Sequence, residues 1–206
     1  MNDDIVVYFS PASRAFMALW MIEELGVRYR IEMIDIRKGE QKSPLFLAVN
    51  PMGKIPAVTV DGVVITETPA ICTYLADRYS YGQLAPKLED ADRGPYLRWM
   101  AFSTGVVDPG LNARAQKLNA PANIVGWGDY DTMVATLVSA LRGKNYLLGD
   151  RFSAADVALG GQVIWGLFGQ NLPDDPVLTS YSARLRHDPL TERRQPWRSG
   201  PNLPGE

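Results

Sequence analysis

The stretch at residues 50–58, Asn-Pro-Met-Gly-Lys-Ile-Pro-Ala-Val, constrains the fold of this chain more than any other. It begins with two turn dipeptides and continues through Ile55 and Pro56 into an apolar strand. Proline removes a donor from a strand ladder, so Pro56 must begin that strand or lie at an open edge. The bond before a proline is also the only kind with an appreciable cis population, and a cis bond here would present the Ile55 backbone as an extended clamp.

A predicted helix start follows the strand closely. The Asp61-Gly62 dipeptide is a strong hairpin signal, and Glu67, Thr68 and Pro69 come after the second hairpin strand. Threonine is a good N-cap and proline suits the first helical position, so we predict a helix capped by Thr68. The free N–H groups of a helix N-terminus favour a carboxylate. The sequence therefore predicts a strand edge that pairs with a peptide, beside a site for the acid group of that peptide.

Composition narrows the classes of function. The 206 residues are 46% hydrophobic, enough for a packed core, and the net charge of −2 gives no reason to expect a nucleic-acid or membrane partner. The single cysteine, Cys72, excludes internal disulfides and recurs with apolar helical positions, so we assign it to the core. One histidine argues against a His-rich metal site, and we expect no metal. No apolar run approaches the length of a membrane span, and we expect a cytoplasmic protein.

The order of the predicted elements indicates two domains. Up to about residue 80 the order is βαβαββα, in which the first βαβ unit needs a parallel crossover, as in a thioredoxin-like domain. Strand signals then fade, and helical patterns cover residues 93–106, 129–141 and 176–186. We therefore expect an α/β thioredoxin-like domain at 1–80, a linker at 81–89, an all-helical bundle at 90–195 and a tail at 196–206.

Two local signals refine the helical part. Pro109-Gly110 predicts a kink or a break after the first helix of this domain. Ser153 and Asp156, three residues apart before an apolar run, predict a capping box at a helix start. We assign Asp156 to folding rather than to chemistry.

The stretch 50–58 and the segment 67–71, Glu-Thr-Pro-Ala-Ile, resemble the glutathione-binding signature of the cytosolic glutathione S-transferases. The capping box resembles the one that opens the buried central helix of the family's C-terminal domain. The resemblance, to bacterial serine-type members of theta-like or zeta-like character, implies a cytoplasmic detoxification enzyme. Such an enzyme uses glutathione as co-substrate, attacks a small apolar electrophile and forms a homodimer.

The resemblance also carries over individual binding residues. Glu67 and Thr68 match the pair that binds the γ-glutamyl end of glutathione. Ile55, before Pro56, matches the residue whose backbone pairs with the cysteinyl part.

Gln41 and Lys54 match the positions from which side chains reach the glycyl carboxylate of glutathione. Gln41 has an alternative role as an ordinary polar surface residue, because the loop that carries it varies in form within the family.

The catalytic candidates lie at the first strand-to-helix turn. A glutathione transferase must lower the thiol pKa from about 8.5 towards neutral, because the thiolate is the nucleophile. In serine-type members a serine at this turn donates a hydrogen bond to the sulfur, and Ser10 lies there. Ser13 is the second candidate, with helix capping as its alternative role, and Tyr8 is the third.

Other functions fit the same residues. One is a glutathione-dependent isomerase, dehalogenase or ether-cleaving lyase on the same scaffold. Another is a non-catalytic binding protein that keeps the fold. The joint presence of all the residues of the signature argues against the second alternative: Ser10, Ile55, Pro56, Glu67 and Thr68.

Overall fold

The computed structural model of the protein describes residues 3–118 and 121–187, without the side chain of His187. The chain divides into two compact units, the first ending at Tyr79 and the second beginning at Ser80. The first is α/β and the second is helical, which confirms the expected fold class. The expected tail at 196–206 lies outside the described residues.

The first unit is built on a four-stranded sheet with strand order β2-β1-β3-β4. Strands β1 and β2 are parallel, and β3 is antiparallel to both β1 and β4. A 3₁₀ turn, Glu40–Lys42, precedes the second helix. The elements are β1 (Ile5–Phe9), α1 (Ala15–Leu25), β2 (Arg30–Met33), α2 (Pro44–Val49), β3 (Ala57–Val60), β4 (Val63–Thr66) and α3 (Thr68–Tyr79). This is the predicted βαβαββα order.

The core of the first unit lies between the sheet and helices α1 and α3. Strands β1 and β3 are buried almost throughout, and α1 packs against α3. Cys72 belongs to this core, as expected, and burial raises the pKa of its thiol to about 12. A thiol in this environment stays protonated and inert near neutral pH.

Helix α3 begins one residue earlier than the sequence predicts. Thr68, expected as the N-cap, is its first residue, and Glu67 precedes it with a left-handed φ of 65°. The N–H of Ile71 donates to the Glu67 carbonyl at 2.9 Å and closes the first turn. Because β4 pairs with β3 up to Thr66, Glu67 alone must turn the chain from strand into helix, and the left-handed conformation makes that turn.

The second unit surrounds a buried helix, α7. Both α4 and α8 pack against it, and its residues 154–163 are all buried. The helices are α4 (Arg93–Phe102), α5 (Asp108–Ala115), α6 (Tyr130–Leu141), α7 (Ala154–Phe168) and α8 (Pro176–His187). Among the helices of the described ranges, none combines the length and the apolar character needed to span a membrane.

Of the two alternatives expected at Pro109-Gly110, a kink or a break, the structure excludes the break, because the chain stays helical from Arg93 to Ala115. A π-helical turn, Ser103–Val107, joins α4 directly to α5. Pro109 then occupies the second position of α5. Because a π-helical turn directly precedes it, the helical path continues through the proline instead of ending there. A wide turn of this kind leaves no periodicity signal that the sequence pattern detects.

The predicted capping box at the start of α7 is confirmed. The Oδ2 atom of Asp156 accepts hydrogen bonds from the N–H of Ser153 at 2.9 Å and from its hydroxyl at 3.0 Å. The Oδ1 atom accepts from the N–H of Leu147 and from the hydroxyl of Tyr181, both at 2.9 Å. Asp156 is fully buried, and its four hydrogen bonds join Leu147, Ser153 and Tyr181 inside the second unit.

Candidate functional site

Most of the predicted site residues lie at one end of the sheet. The register pairs Tyr8 with Ala57 and Ala57 with Thr66, so the strand directions bring the ends of β1 and β4 to the start of β3. Ser10 directly follows β1, Glu67 directly follows β4, and Pro56 directly precedes β3. Helices α1 and α3 both begin at this end, because each follows one of these strands.

The turn after β1 separates the two serine candidates. Ser13 uses its hydroxyl locally, because it donates to the Ser10 carbonyl at 2.7 Å and accepts from the Ala15 N–H at 3.2 Å. Ser10 is 4% exposed, and within the described ranges its hydroxyl makes no hydrogen bond. Between them Ala12 has a left-handed φ of 52°, which folds the turn back on itself. The Ser10 hydroxyl is therefore available to a ligand, whereas that of Ser13 is engaged by the backbone at the start of α1.

Tyr8 is committed to packing. Its ring is half-buried and contacts Phe46 edge-to-face, with 5.6 Å between ring centroids. It packs on a cluster formed by Ile34, Phe46 and Ala57. This position agrees with its low rank among the candidate donors.

The Ile55–Pro56 peptide bond is cis, as the sequence predicts. Pro56 is buried directly before β3, and Ile55 lies outside the paired register of β1 and β3. No hydrogen bond of the described part of the chain uses the Ile55 backbone N–H or C=O. These two groups form a short open edge that can pair with an extended peptide.

The start of α3 adds groups suited to a charged ligand. Glu67 is exposed, and no described residue binds its carboxylate. Its left-handed backbone is unusual for a residue with a side chain, and such conformations are concentrated at ligand sites. Thr68, 7% exposed, lies beside the unsatisfied N–H groups of the first helical turn. An anion is stabilised at this position, and an ammonium group is stabilised by Glu67.

Gln41 and Lys54, the two residues predicted to reach the glycyl carboxylate, differ in exposure. The side-chain Oε1 atom of Gln41 is buried and has no hydrogen-bond partner among the described residues. A Cβ atom placed on Gly53 would lie 2.7 Å from the Gln41 carbonyl oxygen, so the 3₁₀ turn contacts the backbone at residue 53 directly. Lys54 is exposed beside it. The two predicted residues therefore lie on neighbouring loops.

Two residues of this region were not predicted. Lys42 donates from Nζ to the Met52 carbonyl at 2.9 Å, and Asn50 is buried with its side chain bound to the turn that follows it. The signal for Asn50 was present in the sequence, because asparagine side chains commonly bind the backbone two residues later in a turn. The long reach of Lys42 leaves no such local pattern.

This end of the sheet can hold an acidic peptide and act on one of its atoms. An open backbone edge at Ile55 aligns the peptide, the helix start at Thr68 takes one acid group, and Ser10 offers a hydroxyl donor. The start of α1 adds positive potential near Ser10, because the first N–H groups of a helix lack intrahelical acceptors.

Comparison with known proteins agrees with this geometry. The family described as glutathione S-transferase, N-terminal domain, matches residues 5–77. Glutathione S-transferase F10 of Arabidopsis thaliana is 31% identical over 163 residues, which cover 73% of this chain and 74% of the relative. The disulfide-bond oxidoreductase YfcG of Escherichia coli (strain K12) is 27% identical over 201 residues, 91% of this chain and 92% of the relative.

A solved structure is similar over nearly the whole chain. A crystal structure of a glutathione transferase from Burkholderia graminis, with two glutathione molecules bound per subunit, superposes with a TM-score of 0.72 and 26% identity. The match covers 93% of this chain and 87% of that chain. With the family match and the Arabidopsis relative, this establishes that the chain belongs to the cytosolic glutathione S-transferase family.

Proposed function

We propose that this protein is a cytoplasmic, homodimeric, serine-type glutathione transferase that activates the glutathione thiolate for attack on a small apolar electrophile. The observation that carries the proposal is the Ser10 hydroxyl, nearly buried, without an internal partner and placed at the sheet end where Ile55 offers an open backbone edge. The Burkholderia graminis relative, which holds glutathione, supports the choice of ligand.

In this proposal a group of the protein binds each part of glutathione. The γ-glutamyl carboxylate lies at the N-terminus of α3 with the Thr68 hydroxyl, and the γ-glutamyl ammonium lies against Glu67. The cysteinyl backbone pairs with Ile55. The glycyl carboxylate is reached by Gln41 and Lys54. The cysteinyl sulfur then lies towards the end of β1, where Ser10 donates to it.

The chemical step uses the thiolate lone pair. The thiol proton passes to solvent, and the Ser10 O–H and the field of the α1 N-terminus stabilise the negative sulfur. The sulfur attacks the electrophilic carbon and forms a C–S bond, while the electron pair of the bond that breaks leaves with the leaving group. Ser10 keeps its own proton throughout, so it acts as a hydrogen-bond donor and not as a base.

The direct test is a titration of the bound thiol. We expect the ultraviolet absorbance of the thiolate, followed with glutathione bound to the wild-type protein, to show a pKa one to two units below the free value of about 8.5. Binding without a shift of the pKa would remove the activating role, and failure to bind would remove the whole proposal.

Glu67 should contribute to affinity. We expect Glu67→Ala to weaken glutathione binding about tenfold, because a hydrogen bond to a charged group is worth about 1.5 kcal/mol. Isothermal titration calorimetry measures the dissociation constant directly. Glu89→Ala, which removes an exposed carboxylate in the second unit, should bind with the wild-type constant. Equal affinity of Glu67→Ala and the wild type would exclude Glu67 from the site.

A second candidate activity is glutathione-dependent disulfide reduction, favoured by the similarity to the oxidoreductase YfcG over 91% of this chain. In that reaction one glutathione thiolate attacks a substrate sulfur and releases a thiolate. A second glutathione then attacks the mixed disulfide, giving oxidised glutathione and the second substrate thiol. Cys72 is buried with a raised pKa and takes no part in either step. A panel of chloro-aromatics, maleyl compounds, aryl ethers and a small dialkyl disulfide separates these activities.

A further inference from the structure

We propose that Asn50 is a positioning residue for glutathione, acting through the peptide group that joins Lys54 to Ile55. The proposal rests on the proposed function and assigns a role to a residue that does not itself touch the ligand. Asn50 is 3% exposed, at the end of α2 and before the turn that leads into Pro56.

The Asn50 side chain holds this turn from inside. Its Nδ2 atom donates to the Lys54 carbonyl at 2.7 Å, and its Oδ1 atom accepts from the Met52 N–H at 3.1 Å. Its backbone carbonyl accepts from the Gly53 N–H at 2.8 Å. Three hydrogen bonds within five residues leave the turn few alternative conformations, and both polar ends of the amide are used.

The bond to the Lys54 carbonyl is the one that reaches the ligand edge. That carbonyl and the Ile55 N–H belong to the same peptide group, which is planar. In a trans peptide the two point in opposite directions, so an amide that holds the carbonyl on one side directs the Ile55 N–H to the other. The N–H is free within the described part of the chain, which leaves it for the cysteinyl carbonyl of the proposed ligand.

A second residue holds the same turn from outside. Lys42 donates to the Met52 carbonyl at 2.9 Å, and its side chain would lie 2.8 Å from a Cβ atom on Gly53. Lys42 is exposed, so water replaces its hydrogen bond easily. The buried Asn50, which water cannot replace, is therefore the stronger determinant of the turn.

The decisive variant is Asn50→Asp. It keeps the size of the side chain and the acceptor for the Met52 N–H, but it turns an oxygen instead of a donor towards the Lys54 carbonyl. We expect the dissociation constant and the KM for glutathione to rise at least about tenfold, as for the loss of a buried hydrogen bond with repulsion added. The pKa of the bound thiol should stay within about 0.3 units, and kcat at saturating glutathione within about twofold, because Ser10 is unchanged.

Two controls make the result specific. Asn112→Asp turns an oxygen towards the Asp108 carboxylate, to which Asn112 now donates at 3.2 Å in the second unit, and it should bind glutathione as the wild type does. Hydrogen exchange of the Met52 and Gly53 amides shows whether the turn still forms in Asn50→Asp, since their acceptors are retained.

The outcomes separate this inference from the function on which it rests. A wild-type protein that does not bind glutathione overturns both. If the wild type binds, an Asn50→Asp protein with protected turn amides and unchanged affinity overturns the positioning role alone. A raised thiol pKa with an equal loss of kcat also overturns it, because Asn50 would then act on the chemistry. Lys42→Met removes only the outer hydrogen bond of the turn, to the Met52 carbonyl. Loss of amide protection in Asn50→Asp with no greater loss of affinity than in Lys42→Met overturns the positioning role as well.

Discussion

Asp156→Asn is expected to lower the free energy of unfolding by about 2–3 kcal/mol at pH 7, because it leaves a buried backbone N–H without an acceptor. Each carboxylate oxygen of Asp156 accepts two hydrogen bonds, from Ser153 on one side and from Leu147 and Tyr181 on the other. Asparagine replaces one oxygen by an NH₂ group, which donates where a backbone N–H and a hydroxyl already donate; the hydroxyl can turn and accept, but the N–H cannot. The site is fully buried, so no water relieves the conflict.

The effect should depend on pH in a defined direction. Burial raises the pKa of Asp156 from 3.8 to about 6, against the hydrogen bonds from Leu147, Tyr181 and Ser153, which lower it. The folded state then holds the proton more tightly than the unfolded state. The part of the stability that depends on this proton is therefore full below the unfolded pKa of 3.8 and is lost as the pH rises through about 6, while the hydrogen bonds to the carboxylate remain. Two pKa units correspond to about 3 kcal/mol.

Urea unfolding followed by far-ultraviolet circular dichroism measures both effects. The difference in unfolding free energy between wild type and Asp156→Asn should shrink as the pH rises from about 4 to about 6.5. Asp129→Asn is the matched control, because Asp129 caps α6 through the Thr132 N–H and asparagine caps a helix equally well. If both variants lose the same stability, the four-donor arrangement of Asp156 has no special weight.

Local signals in the sequence predicted much of the fold. The pair Ser153 and Asp156 predicted its capping box, because the motif needs only two side chains at a fixed spacing. Asp61-Gly62 predicted the hairpin, where both residues have positive φ, of 51° and 81°. Each of these features depends on residues that are close together in the chain.

The errors came from tertiary constraints. Thr68 has the chemistry of an N-cap, but pairing of β4 with β3 up to Thr66 moved the helix start onto it and forced Glu67 to make the turn. Pro109 has the chemistry of a helix break, but the π-helical turn directly before it carries the helical path through the proline. Helix and turn propensities alone predict neither the strand pairing up to Thr66 nor the π-helical turn.

The sequence predicted which residues form the candidate site, but it did not predict the hydrogen bonds that these residues make. The sequence left Ser10 and Ser13 as alternatives, because both lie between β1 and α1. Only the structure shows that the Ser13 hydroxyl binds the Ser10 carbonyl and the Ala15 N–H. The sheet register likewise brings the start of β3 to the end of β1, a contact between residues far apart in sequence.

Ser10→Ala is expected to raise the pKa of bound glutathione by one to two units, which is about 1.4–2.7 kcal/mol and a rate loss of about 10- to 100-fold near neutral pH. The reason is the loss of the hydroxyl that favours the charged sulfur. Affinity for glutathione should change little, since the hydroxyl interacts more strongly with the thiolate than with the thiol. Titration of the thiolate absorbance and calorimetry measure the two quantities separately.

Ser13→Ala is the matched control, because it removes a hydroxyl from the same turn. Its hydroxyl already donates to the Ser10 carbonyl, so we expect a less stable α1 start but an unchanged thiol pKa. If Ser13→Ala raises the thiol pKa and Ser10→Ala does not, the catalytic role passes to Ser13. If neither does, Tyr8→Phe tests the third donor, although the Tyr8 ring packs on Phe46. A shift confined to Ser10→Ala means that the free hydroxyl, and not its position in the turn alone, stabilises the thiolate.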